Sequence, residues 1–236
     1  MTRSRHQRSE SAAVDYTQTA IDFRENRYLP VRGLLPENIL QLLKIYYGIL
    51  LSNNRFVADD QCPASLALGC DPALDAVLEW IRPETSRLIG LELTPTYSYT
   101  RLYAKGDVLA RHKDRPSCEI SVTVTINTPR DKGPSVIYLK PPGKDEIRVE
   151  MLEGDGCLYA GTEVEHWREA FDADGCIQLF LHFITRNGAN FPTYAYDQRA
   201  RLGAPRMAAA GGRIRKRGSY ALRLLGRRIT NLFGGP

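Results

Sequence analysis

Apolar residues recur along this chain with two different periods, and the period changes near residue 94. Before that point they recur every three or four residues in two stretches, which predicts amphipathic helices over about 36–51 and 71–90. Asp71 and Pro72 are typical of an N-cap and first turn, and Pro83 is expected to bend or restart the second helix. The residues that repeat at helical spacing in the first helix are Ile39, Leu42, Leu43, Tyr46, Ile49 and Leu50.

After that point the period is two, as in a half-buried β-strand. Glycine- and aspartate-rich turns separate the alternating stretches, and a short stretch over 27–32 containing Pro30 is predicted to be an edge strand. This layout predicts an α+β domain that is mainly β, a sandwich or jelly roll with supporting helices on one face. The main strands are predicted over residues 97–103, 120–126, 135–139, 146–151, 157–160, 164–171 and 177–185.

Composition divides the chain into three regions. Residues 1–26 are polar without a sustained period, which predicts a flexible segment, and residues 27–198 fit one domain with helical support over 36–90 and a β core over 94–185. Residues 199–236 form a tail with ten Lys and Arg and no acidic residue, so the net charge of +5 comes from the tail. The basic balance therefore gives no support to a domain face that grips nucleic acid.

The apolar residues of the tail recur at roughly helical spacing, with arginines between them. They are Leu222, Leu225, Ile229, Leu232 and Phe233. This pattern is typical of a basic amphipathic segment that contacts an anionic surface or a partner protein, and a solvated extension is the alternative.

The cysteines and the lack of long apolar runs indicate a cytoplasmic protein. The five Cys are odd in number and show no C-x-x-C spacing, which favours reduced thiols. No charged start followed by an apolar run indicates a signal peptide, and no apolar run approaches the roughly 20 residues that a membrane span needs.

Two histidines and one aspartate carry the candidate chemistry. His112 and Asp114 alternate along an extended stretch, so their side chains project to one side, and His166 lies on another apolar run. Two imidazoles and one carboxylate on one face of an octahedron are the ligand set of non-haem Fe(II) oxygenases. An H-x-D pattern alone is weak, but the chain has only four His, and two of them sit in β-patterned segments. The pattern therefore predicts an iron site with three open positions.

Several short motifs surround these three residues. They are Arg101-Leu102-Tyr103 with Gly106 and Leu109, then His112-Lys113-Asp114-Arg115, Gly154-Asp155, His166-Trp167-Arg168, and the run from Gln178 to Phe183. Together they resemble the prolyl-4-hydroxylase-like branch of the Fe(II)/2-oxoglutarate-dependent dioxygenases, which fold as a double-stranded β-helix. The similarity covers about 94–185 closely and the preceding helices more loosely. It implies that His112, Asp114 and His166 ligate iron, that Tyr103 hydrogen-bonds 2-oxoglutarate, and that dioxygen is consumed.

The chain departs from that family's pattern at one important point. Family members usually carry a Lys or Arg nine or ten residues after the second histidine, where it pairs with the distal carboxylate of 2-oxoglutarate. This chain has Gly175 and Cys176 there. A buried carboxylate without a cation is costly, so another cation is expected to serve. We expect Arg168, on the same strand face as His166, and its rivals are Lys140 and Arg101.

Three neighbouring residues have weaker interpretations. His182 is expected to be a hydrogen-bonded core histidine rather than a fourth ligand. Cys118 is expected to be an inert buried thiol, with a soft metal ligand as the alternative. Arg115 is expected either to line the substrate mouth or only to pair with Glu119.

The resemblance implies an oxygenase that hydroxylates a C–H bond of an amino acid, a peptide or a small metabolite. Two alternatives come from other classes: a non-catalytic jelly-roll protein that binds a metal or ligand, and an oxygenase directed to nucleic acid by the basic tail.

Overall fold

Two antiparallel β-sheets face each other in the computed structural model, which describes residues 14–129 and 132–205. The larger sheet has the strand order β1-β9-β6-β11-β4-β3-β2 and the smaller one β5-β10-β7-β8. The helices are α1 (Tyr16–Asn26), α2 (Glu37–Ser52), α3 (Pro72–Ile89) and the short α4 (Phe191–Tyr194). The strands are β1 (Tyr28–Val31), β2 (Val57–Ala58), β3 (Leu66–Gly69), β4 (Leu93–Tyr103), β5 (Leu109–His112), β6 (Ile120–Asn127), β7 (Ser135–Lys140), β8 (Ile147–Met151), β9 (Gly156–Ala160), β10 (Glu165–Arg168) and β11 (Cys176–Thr185).

The core lies between the sheets and between the larger sheet and its helices. Helices α2 and α3 pack on the larger sheet, and α1 packs on α3. Burial of apolar side chains on both sides of this sheet stabilises the arrangement, because each fully buried Leu, Ile or Phe contributes about 1.5–3 kcal/mol. Fully buried side chains of this core include Tyr47, Leu74, Leu78, Ile137, Leu139 and Phe183. The prediction of a mainly β jelly roll with helical support is confirmed.

The N-terminal segment differs from the prediction. Residues 16–26 form helix α1, where a flexible segment was expected, and residues 1–13 lie outside the described part. Asp15 caps the helix by accepting from the backbone N–H groups of Thr17 and Gln18, and Phe23 is its one buried residue. A helix that buries so little has almost no apolar period, so its sequence pattern did not reveal it.

The structure adds two details to the predicted helices. Helix α3 continues through Pro83 and ends at Gly90, so the proline does not restart it. The stripe of α2 that faces the core contains Leu40, Tyr47 and Leu51, whereas Leu42 and Ile49 are exposed. Because α2 is apolar on more than one side, periodicity did not distinguish its buried face.

The remaining boundaries match the predictions closely. β1 is the edge strand expected over 27–32, and the strand expected over 164–171 is shortened to β10. The amphipathic segment predicted over 213–233 lies outside the described residues. Within 14–129 and 132–205, no helix is long and apolar enough to cross a membrane.

Candidate metal centre and its pocket

Strands β5 and β10 bring the two predicted histidine ligands together. They pair antiparallel with His112 opposite His166, and the two rings lie 4.3 Å apart. Asp114 follows β5 directly, and its Oδ1 lies 3.7 Å from His112 Nε2 and 3.6 Å from His166 Nε2. The three candidate ligand atoms all lie within 4.8 Å of one another.

Hydrogen bonds orient each of the three side chains. His112 Nδ1 lies 2.9 Å from the Ala110 carbonyl oxygen, and His166 Nδ1 lies 3.0 Å from that of Val164. A carbonyl oxygen only accepts, so each Nδ1 carries the proton and each Nε2 keeps its lone pair for a metal. Asp114 Oδ2 accepts from Ser121 Oγ at 2.7 Å, which leaves Oδ1 facing the histidines.

Gly161 allows Asp114 to take this position. The Asp114 backbone N–H donates to the Gly161 carbonyl oxygen at 2.8 Å. A Cβ added at Gly161 would lie 2.5 Å from Asp114 Oδ2 and 2.3 Å from the Cys118 carbonyl oxygen. No side chain fits there without displacing the carboxylate.

The donor set and its protonation fit a divalent metal ion. Burial lowers the pKa of His166, although Asp114 opposes this effect, so the ring is neutral at neutral pH. Neutral imidazole and ionised carboxylate are the forms that ligate metals. Two imidazoles and one carboxylate are the donor set of a facial Fe(II) site.

An open cavity of about 480 Å³ lies beside the three ligands. One wall is aromatic and consists of Tyr97, Tyr99, Phe180 and His182 from the neighbouring strands β4 and β11. His182 and Tyr97 pack with ring centroids 4.6 Å apart. Such a wall suits an apolar or planar group held next to the metal position.

Arg101 lines the cavity, but its guanidinium is already paired. Its Nε donates to Asp59 Oδ2 at 2.8 Å, and its other nitrogens donate to Gln61 and to the Tyr103 hydroxyl. Both side chains of the Arg101–Asp59 pair are at most 3% exposed. Burial lowers the pKa of Arg101, but Tyr103 and Asp59 more than offset this effect, so the guanidinium stays charged.

Arg168 is buried to a similar degree, and its hydrogen-bond partners within the described residues are all neutral. It donates to Ser135 Oγ and the Val136 carbonyl oxygen, both at 2.7 Å, and to Thr123 and Gln178 at 3.2 and 3.1 Å. Its Nε is buried and has no hydrogen-bond partner in the part of the chain that the structure describes. Among residues 14–129 and 132–205, no carboxylate forms an ion pair with it. An isolated buried cation is costly, so this position favours an anionic ligand.

The remaining two predicted cofactor residues, Tyr103 and Lys140, lie in different environments. The Tyr103 ring lies 5.7 Å from the Arg168 guanidinium carbon, and its hydroxyl accepts from Arg101 at 3.1 Å. Lys140 pairs with Glu165 across the β7–β10 ladder, whereas His166 pairs with Leu139. Lys140 is therefore on the opposite face of the smaller sheet from His166, and this placement argues against it as an anchor.

Arg168 and Tyr103 lie just beyond the cavity rather than in its lining. Leu109, opposite Arg168 in the β5–β10 ladder, and Arg101, bonded to Tyr103, line the cavity on that side.

The structure also describes the residues with weaker interpretations. Candidate ligand atoms of Asp114, Cys118 and His182 lie within 4.8 Å of one another, so the alternative of Cys118 as a soft metal ligand stays open. His182 is a buried histidine whose Nδ1 lies 2.9 Å from Ser121 Oγ, and burial lowers its pKa to about 4. Cys118 is buried, and burial raises the pKa of its thiol to about 12, as expected for an inert thiol. Arg115 lines the cavity and pairs with Asp197 at 2.8 Å, so its expected partner Glu119 was wrong.

Sequence reasoning missed three residues that build the site. They are Asp59, which pairs with Arg101, Ser121, which orients Asp114, and Asp197, which holds Arg115. Each comes from a segment distant in sequence from its partner or from the opposite sheet, so no local spacing pointed to it.

Comparison with solved structures gives the fold a family context. A prolyl-4-hydroxylase from Pseudomonas putida superposes with a TM-score of 0.57 at 14% identity, covering 73% of this chain and 100% of that one. A 2OG-Fe(II) oxygenase family oxidoreductase from Burkholderia pseudomallei gives 0.58 at 15% identity, covering 75% and 93%. The chain has the fold of the 2-oxoglutarate oxygenases. The α-ketoglutarate-dependent epimerase SnoN from nogalamycin biosynthesis gives 0.60 at 12% identity, covering 72% and 82%.

No protein-family model and no curated protein sequence matches this chain. At identities of 12–15% the structural likeness establishes the fold, and the chemistry has to be argued from the site itself.

Proposed function

We propose that this protein is an Fe(II)- and 2-oxoglutarate-dependent dioxygenase that hydroxylates a C–H bond of an amino acid, a peptide or a small metabolite. The observation that carries the proposal is the convergence of His112 Nε2, His166 Nε2 and Asp114 Oδ1 beside an open cavity. In this proposal the three residues hold iron and leave the other positions to co-substrate and dioxygen.

Arg168 is the proposed anchor for the distal carboxylate of 2-oxoglutarate. Its support is the guanidinium buried among neutral acceptors, with one nitrogen unpartnered. Arg101 fits this role less well because Asp59 already neutralises it. Leu109, the ladder partner of Arg168, lines the cavity beside the metal position.

Tyr103 is the proposed second contact to that carboxylate. Burial raises the pKa of its phenol, so the hydroxyl keeps its proton and can donate it to an anion. Arg101 donates to the hydroxyl oxygen, which leaves the phenolic proton for an acceptor.

Bound iron and 2-oxoglutarate would supply activation of dioxygen coupled to decarboxylation. The residues of the chain provide position and protection for that chemistry. The carbonyl oxygens of Ala110 and Val164 fix the histidine tautomers, and Ser121 fixes the carboxylate. In this proposal the aromatic wall holds the substrate against the metal position.

The test begins with anaerobic titration of Fe(II) and 2-oxoglutarate into the purified chain. Oxygen is then admitted, and succinate is measured against a substrate panel. His112→Ala, Asp114→Ala and His166→Ala are each expected to abolish Fe(II)-dependent turnover and to leave the circular dichroism spectrum unchanged. Full activity in one variant would remove that residue from the site, and binding without succinate would favour a non-catalytic jelly-roll protein.

We also place this activity in the cytoplasm. The support is that the five cysteines, all within the described residues, form no disulfide and four of them are buried, as is common where thiols stay reduced. The basic tail remains the one feature that suggests an anionic partner.

A further inference from the structure

Helix α2 carries an apolar face that the described part of the molecule leaves uncovered. Leu42 is 61% exposed, Ile45 64% and Ile49 53%. Spacings of three, four and seven residues put these side chains on one side of the helix. Scattered exposed leucines are normal, but three large apolar side chains side by side mark a contact surface.

The described chain ends beside the N-terminus of α3, which contacts α2. The Gly203 backbone N–H donates to Asp75 at 2.9 Å, and a Cβ added at Gly203 would lie 3.7 Å from the Pro72 side chain. Asp71, the preceding residue, accepts a 2.7 Å hydrogen bond from the Tyr46 hydroxyl in the middle of α2. The tail therefore starts within one side chain of α2.

The tail has both the length and the composition to cover that face. Its apolar residues are Leu222, Leu225, Ile229, Leu232 and Phe233, and fourteen residues lie between Pro205 and Tyr220. A flexible chain of that length spans about 20 Å, whereas the α2 face from Leu42 to Ile49 is only about 10 Å long. The linking segment can therefore reach the whole face.

Charge also favours docking on the protein's own body. The 31 residues after Pro205 carry eight Lys and Arg and no Asp or Glu. The remaining chain carries 24 basic and 27 acidic residues, so tail and body attract each other at long range.

We propose that the apolar residues of segment 220–233 dock on the Leu42–Ile45–Ile49 face of α2 within the same molecule. The docked segment buries apolar residues that neither surface covers alone, and the short tether raises its effective concentration at α2 to the millimolar range, on the order of that found for short flexible linkers. This contact is independent of the oxygenase activity.

Hydrogen exchange of the full-length chain tests the proposal from the tail side. In the parent protein, amides of 220–233 are expected to exchange about tenfold or more slowly than those of a free chain. L42Q/I45Q/I49Q should abolish that protection, since glutamine keeps helix propensity and removes the apolar face. Leu91→Gln is the matched control, because Leu91 is an exposed apolar residue at the opposite end of α3, about 27 Å from Asp71.

Hydroxyl-radical labelling tests the proposed contact from the α2 side. It uses a tail variant and so does not depend on the folding of the α2 variant. L222Q/L225Q/I229Q should increase labelling of the Leu42 to Ile49 side chains and leave Leu91 unchanged. Free-chain exchange in the parent tail, or protection that survives in the α2 variant, would overturn the proposal.

Light scattering and added anionic vesicles test for two other occupants of the α2 face, a second copy of the protein and a lipid surface. A parent dimer that the α2 substitutions convert to monomer, or protection that appears only with vesicles, would also overturn the proposal.

Discussion

Two buried arginines in this domain differ in the partners that surround their charged guanidinium groups. Arg101 is 3% exposed and Arg168 5%, and both bridge several strands and loops through hydrogen bonds. Arg101 meets a buried carboxylate, Asp59, whereas Arg168 meets hydroxyl, amide and carbonyl oxygens and has an unpartnered Nε. A complete ion pair is a structural feature of the resting protein. A guanidinium that lacks its counter-charge is better explained by a ligand that supplies one.

Asp59→Ala tests the complete pair and should have the largest effect on stability. It leaves Arg101 buried without a counter-charge, which costs about 3–5 kcal/mol in the free energy of unfolding. Denaturant titration measures this change, and Asp145→Ala, exposed just after a turn, should shift the unfolding free energy by no more than about 0.5 kcal/mol. Equal stability of the two variants would show that the Arg101–Asp59 pair does not stabilise the fold.

Arg168→Ala tests whether Arg168 binds the distal carboxylate of 2-oxoglutarate. If Arg168 anchors the distal carboxylate, removing it costs about 3–5 kcal/mol of co-substrate binding, a loss of at least a hundredfold in affinity. Arg168→Lys keeps a point charge but loses the planar fork, so it should raise the KM for 2-oxoglutarate more than it changes iron affinity.

Anaerobic titration with 2-oxoglutarate separates the two arginines directly. Arg101→Ala is the counterpart, and it is expected to destabilise the fold more than it weakens 2-oxoglutarate binding. Normal 2-oxoglutarate binding by Arg168→Ala, together with lost binding by Arg101→Ala, would move the anchor to β4.

The sequence predicted what depends on local pattern. Alternation from Tyr97 to Tyr103 and from Ile120 to Ile126 indicated the central strands, and the H-x-D spacing with His166 indicated the three residues that converge. Turns and caps such as Asp71-Pro72 followed from local backbone chemistry.

What the sequence did not predict depends on contacts between distant segments. The environments of Arg101 and Arg168 differ because of Asp59 and Gln178, which are 42 residues and 10 residues away from them. Helix α1 and the buried face of α2 were set by tertiary packing on α3 and the large sheet. Periodicity contains no information on such partners.

His182 is another buried basic side chain, and unlike the two arginines it is uncharged in the folded protein at neutral pH. Burial lowers its pKa to about 4, below the ordinary histidine value of 6.5. The unfolded chain therefore binds a proton between these values that the folded chain does not, so stability is complete above pH 6.5 and falls as the pH drops toward 4.

In metal-free protein this histidine should account for about 3 kcal/mol of the acid-side loss. His182→Asn retains an N–H near the Ser121 hydroxyl but has no titrating group, so its unfolding free energy should fall less steeply over this pH range. Denaturant titrations at several pH values measure the slope. An identical slope in both proteins would mean that His182 is charged in the fold.

Lys140 is only half-buried, and its substitution should have the smallest effect on 2-oxoglutarate affinity. It shares β7 with Leu139, but the alternation of the strand directs Leu139 inward and Lys140 outward, opposite Glu165. Lys140 is half-buried and does not line the described cavity, so Lys140→Ala should leave 2-oxoglutarate affinity within about twofold of the parent value. The same anaerobic titration measures it. A hundredfold loss in Lys140→Ala would mean that the outer face of the smaller sheet, rather than the barrel interior, holds the co-substrate, and Arg168 would then need another explanation for its missing counter-charge.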